Sequence, residues 1–110
     1  MAGEMTKEEV TKDAYPFHFA VAKSLGGIVE PFDQYQGPYV YAYGFGRFWL
    51  NMEDGESPYC YWYNDYTGKK SEPFYAYEET NRTACRCARQ CLPDGNAFLV
   101  KGGTVIEEED

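Results

Sequence analysis

Between residues 39 and 63 the chain alternates with a period of two, and tyrosine holds one of the two phases. Tyr39-Val40-Tyr41-Ala42-Tyr43 is followed by Arg47-Phe48-Trp49-Leu50-Asn51-Met52, and then by Tyr59-Cys60-Tyr61-Trp62-Tyr63. Successive side chains of a strand point to opposite sides of its sheet, so this pattern fits strands with one apolar face and one tyrosine-bearing face. Turn chemistry separates the runs. Gly44-Phe45-Gly46 lies after the first, an Asp54-Gly55 pair within 53–58 after the second, and 64–68 after the third, where Gly68 can take a positive φ. Residues 28–32 form a further short run, 33–38 a loop, and 73–77 a last short strand in an antiparallel meander.

Helical periodicity brackets the meander. Val10, Ala14, Phe17, Val21 and Leu25 recur at three- and four-residue steps, and Thr6 with Glu9 fits a capping box. Residues 6–25 thus read as helical, but Pro16 interrupts the pattern. Either the helix kinks there or, the favoured reading, a frayed first segment ends at Tyr15 and the better helix runs over 16–25, with Pro16 in its first turn and Gly26-Gly27 as its stop. A second helix is expected over 78–92, with Glu78 and Glu79 in its first turn. Ala84, Ala88 and Cys91 share one of its faces, and Arg82, Arg86 and Arg89 share another. Residues 97–100 and 104–106 read as a closing hairpin across 101–103. The expected fold is α+β: an antiparallel β-meander of four to six short strands with two helices packed on one face. The length of 110 residues suits a single compact domain over 1–110, with 1–5 and 107–110 frayed.

Strand parity then sorts the side chains. Val40, Ala42, Phe48, Leu50, Met52, Cys60, Trp62, Phe74 and Ala76 form the core face beneath the helices. Tyr39, Tyr41, Tyr43, Trp49, Tyr59, Tyr61 and Tyr63 form the opposite face, joined by Tyr75 and Tyr77. Cross-strand tyrosine pairs can simply stabilise a half-solvated sheet. Seven to nine rings on one face exceed that need, and Tyr and Trp dominate interface hot spots.

Charge narrows what such a face can bind. The chain carries 18 acidic against 10 basic residues, a net charge of −8. Ring platforms for nucleic acid add Lys and Arg for the backbone, whereas residues 39–66 offer only Arg47 against Glu53, Asp54, Glu56 and Asp65, so direct nucleic-acid binding is not expected. A carbohydrate or other small ligand is the alternative occupant, because rings flanked by Asp, Asn and Glu suit sugar stacking and hydroxyl hydrogen bonds. A protein partner with a basic surface fits best, with rings for affinity and Glu53, Asp54 and Glu56 as rim charges that speed encounter. Such a protein would inhibit or adapt its partner, which could itself handle nucleic acid. The composition is like that of small acidic inhibitors encoded by phages and mobile elements. The arginine stripe, with Lys69 and Lys70 near it in sequence, would pair with Glu78 and Glu79 on its own helix or receive an acidic surface of a second copy, giving a homodimer.

Trp49, Tyr61-Trp62-Tyr63-Asn64, Thr67-Gly68 and Pro73 together resemble the meander of WW domains, which bind proline-rich peptides. The resemblance spans about a quarter of the chain and is one of hairpin chemistry. The second, ligand-stacking tryptophan of that family would fall near Lys70, and this chain has none there.

The remaining chemistry is sparse. Cys85, Cys87 and Cys91 are spaced so that Cys87 and Cys91 share a helix face while Cys85 points away. Convergence of three helical ligands is therefore difficult, and Cys60, Cys87 and Cys91 are weak candidates for a metal or redox site, better read as buried small hydrophobes. His18 is the sole histidine, without an adjacent Asp or Ser partner, and no glycine-rich phosphate loop precedes a helix. The expectation is a protein that is not an enzyme and needs no cofactor. The first nine residues lack the basic and apolar regions of a secretory signal, and no run approaches the roughly 20 apolar residues of a membrane helix, so cytoplasmic residence away from membranes is expected.

Overall fold

The computed structural model describes residues 5–77, 81–93, 99–100 and 103–104. Helix α1 spans Pro16–Leu25. Proline suits its first turn because the ring presets φ and the missing N–H would have had no helical partner. Gly26 ends it in the left-handed region at φ 69°, and the amide of Gly27 returns to the carbonyl of Ala22 at 2.7 Å. The box at Thr6 and Glu9 also forms, with the Thr6 amide donating to Glu9 Oε1 at 2.7 Å. No helix follows it. Residues 7–9 and 12–14 are separate turns, and so short a helix ahead of Pro16 would not sustain itself without packing.

Five strands follow: β1 (Ile28–Asp33), β2 (Gly37–Ala42), β3 (Gly46–Met52), β4 (Tyr59–Asn64) and β5 (Phe74–Tyr75). They form one sheet in the order β1-β2-β3-β4-β5, with every neighbouring pair antiparallel, as a meander requires. The structure extends β1 by one residue and β2 back to Gly37. It shortens the last run to two residues and leaves Tyr43 and Tyr77 in turns. Asp54 and Gly55 both take positive φ, 53° and 76°, as an Asp-Gly turn between twisted strands demands.

Helix α2 (Asn81–Arg89) packs beside α1, and both lie on the same side of the sheet, α1 over β1 and β2, α2 over β4 and β5. The expected first turn at Glu78 and Glu79 lies outside the described residues. Near the end of the chain β6 (Leu99–Val100) pairs antiparallel with β7 (Gly103–Thr104), so Gly103 belongs to a strand and not to the turn. The rest of that expected hairpin and, apart from Met5, the termini expected to fray lie outside the described residues, and the Met5 amide is tied to the Phe32 carbonyl at 3.0 Å.

Parity holds across the sheet. Val40, Ala42, Phe48, Cys60, Trp62 and Phe74 are buried beneath the helices together with Val21, Leu25, Ala84 and Ala88. Three assignments change. Leu50 and Ala76 are half-buried and Met52 exposed, where an open recess of about 230 Å³ separates them from the start of α1. Asn64 continues the core phase of β4 and is fully buried. Its Nδ2 donates to the carbonyls of Phe45 at 2.7 Å and Cys91 at 3.1 Å, and its Oδ1 accepts from the amides of Tyr66 and Thr67 at 2.8 and 3.3 Å. One side chain thus ties the β2–β3 turn, the loop after β4 and the end of α2. Among the described residues no helix is long and apolar enough to cross a membrane.

Candidate functional site

The face of the sheet turned away from the helices carries the tyrosines. Register aligns Tyr39 with Trp49 and Trp49 with Tyr63 across β2, β3 and β4, Tyr41 with Arg47, Asn51 with Tyr61, and Tyr59 with Tyr75. At strand spacings near 4.8 Å, five strands give a face roughly 20 Å wide. Tyr41, Tyr43 and Tyr59 are exposed at 41%, 65% and 47%, whereas Tyr39, Trp49, Tyr61 and Tyr63 are half-buried among their neighbours.

The rings form two groups. In the first, the centroids of Tyr39 and Trp49 lie 4.7 Å apart, and Phe32 from β1 meets Trp49 edge-on at 5.1 Å. The Arg47 guanidinium sits 5.6 and 5.9 Å from the Tyr39 and Trp49 centroids and pairs with Asp65 at 2.9 Å, and Asp65 also accepts from Trp49 Nε1 at 3.2 Å. In the second, Tyr59, Tyr75 and Tyr77 follow one another at 5.4 and 5.8 Å, while Lys70 lies 5.3 Å over the Tyr61 ring.

Phe32, Asp65 and Lys70 therefore join the face beyond the tyrosine pattern, and Arg47 is built into it. Phe32 lies within the irregularity between Glu30 and Asp33 in the β1 pairing and keeps the outward phase of Glu30, and Lys70 reaches the sheet through an isolated bridge to Tyr63. Parity within β1 could have found Phe32; it carried no signal for Lys70. The three acids expected as a rim sit together on one turn: Glu53, Asp54 and Glu56 join β3 to β4, beside the Asn51 and Tyr59 end of the face. They make a charged end, not a surround. At the opposite end Tyr41 and Tyr66 flank a cleft of about 290 Å³ that Gly44 and Gly46 also line.

The other chemical candidates lie in the core. Cys60, Cys85, Cys87 and Cys91 are buried, and none of them forms a disulfide among the described residues. Burial, and next to it the neighbouring Cys87, pushes the Cys60 thiol up to about 11 and the Cys91 thiol up to about 12, so both stay protonated and poorly nucleophilic at neutral pH. Among the described residues no group of three or more His, Cys, Asp or Glu side chains is placed to hold a metal ion. His18 is buried edge-to-face against Trp62 at 5.3 Å. Burial lowers it to about 4, although a hydrogen bond to the Pro38 backbone favours its charged form.

The arginine stripe makes cross-element ties. Arg86 pairs with Glu72 at 3.1 Å, where Gln90 also donates at 2.6 Å, and Arg89 donates to Ser24 of α1 at 3.2 Å. The hydrogen bond from Gln90, then the hydrogen bond and charge of Arg86, hold the Glu72 carboxyl below its usual range.

Comparison with protein-family models, with curated proteins and with solved structures gave no match.

Proposed function

We propose that the outer face of the sheet binds a protein partner with a basic surface and, by occupying that surface, inhibits or adapts it; no catalytic role is part of this reading. The observation that supports it is the partition of the rings. Phe48, Trp62 and Phe74 lie in the core, while tyrosines from β2, β4 and β5 gather on the side away from the helices, with Tyr41 of β2 and Tyr59 of β4 substantially exposed. Tyr and Trp supply large contact area at low cost in side-chain entropy. The net charge of −8 and the acidic β3–β4 turn favour a basic partner and speed its encounter. Nucleic acid fits poorly, since of the two cations over the rings Arg47 is neutralised by Asp65.

The test is affinity capture from the native host at low and high salt, with the wild type and the Tyr41→Ala/Tyr59→Ala variant as baits. A basic protein held by the wild type, released by salt and absent from the folded variant is the expected result. Retention by both baits would refute the reading. A carbohydrate is the second reading, favoured by the cleft between Tyr41 and Tyr66. It predicts saturable, salt-insensitive shifts of those two rings when soluble oligosaccharides are titrated.

A further inference from the structure

A separate cavity lies at the edge of the sheet. Between α1, β1 and the segment before α1 there is a recess of about 540 Å³, within the roughly 300–1,000 Å³ of small-molecule sites. Its origin is local. Gly26 turns the chain sharply out of α1, and a Cβ on Gly27 would collide with the carbonyl of Tyr41, so the connector from α1 to β1 lies directly on the β2 backbone at that corner. The N-terminal segment bridges the space beyond, held where the Met5 amide donates to the Phe32 carbonyl at 3.0 Å.

The lining combines apolar wall and positive charge. Val10, Phe19, Val29 and Pro31 supply the wall, and Lys7 and Lys23 come from two different segments. Neither lysine has an ion pair among the described residues. Lys23 also suits the last turn of α1, whose carbonyl end attracts cations; Lys7 has no such helix to serve. Glu30 lines the recess too, but its pairing with Tyr39 puts its side chain on the outer face of the sheet. A further strand is a poor occupant, because Pro31 offers the edge no amide.

We infer that this recess is a binding site for a small organic anion, a carboxylate on an apolar body, with Lys7 and Lys23 meeting the carboxylate and Val10, Phe19 and Val29 the body. It is separate from the tyrosines of the partner face, which lie on β2, β4 and β5; β1 contributes only Phe32 to that face. The test uses decanoate as probe, with decanol and decylammonium as neutral and cationic comparators, titrated into ¹⁵N-labelled protein. Saturable amide shifts at Val10, Phe19, Ala22 and Val29 are expected, with decanoate about tenfold tighter than either comparator. The double substitution Lys7→Gln/Lys23→Gln changes two exposed side chains, and it should weaken decanoate about tenfold while leaving decanol unchanged. Equal affinity for the three head groups, shifts centred on Tyr41 and Tyr59, or no saturation would overturn the assignment.

Discussion

His18 shows how much a single residue can couple this fold to its surroundings. Its ring is buried against Trp62 and Tyr15, which favours neutral imidazole and lowers its pKa from 6.5 to about 4. The native state therefore binds fewer protons than the unfolded chain between those values. Stability from this residue is complete above about pH 6.5 and is lost as pH falls towards 4, by about 3 kcal/mol in all. Urea unfolding at pH 7, 5.5 and 4.5 checks it: the wild type should weaken across that window, and His18→Gln should lose most of the slope. Neither this role nor that of Asn64 could be read from sequence. Asn64 opens an Asn-Asp segment that reads as turn, and only the arrival of α2 and the β2–β3 turn converts it into a buried, fully bonded core residue.

At the level of elements, β2, β3 and β4 were legible because residues 39–63 alternate against a single buried layer, and α1 because Pro16 and Gly26 mark its ends. The capping box at Thr6 misled because its hydrogen bonds are local and need no helix behind them. Met52 misled because parity reports the side of a sheet but not how closely the covering helices approach it. The β2–β3 turn provides a sharp element-scale prediction. Gly44 and Gly46 both take positive φ, 86° and 107°, but only at Gly46 would a Cβ meet other atoms, coming within 2.6 Å of Asn64 Oδ1 and of Tyr66 Cβ. Gly44→Ala should cost about 1 kcal/mol for backbone strain, and Gly46→Ala about 2–4 kcal/mol once the contact is added. Equal midpoints for the two variants in urea would show that the turn does not pack on Asn64.

At the scale of the molecule, two layers divide the work. The helices and the inner phase of the sheet hold the fold, and the outer phase presents rings with an acidic turn at one end. This division was legible in the alternation of residues 39–63. The ion pair of Arg47 with Asp65 and the placement of Lys70 over Tyr61 were not, because both depend on how loops return to the sheet. The claim that the exposed rings are surplus to folding meets its most direct test in the unfolding free energy of Tyr41→Ala/Tyr59→Ala. Lost cross-strand contacts should cost no more than about 2 kcal/mol, with cooperative unfolding and native amide dispersion retained. A loss beyond about 5 kcal/mol, or a variant that does not fold, would mean that these rings belong to a second core and would contradict the account.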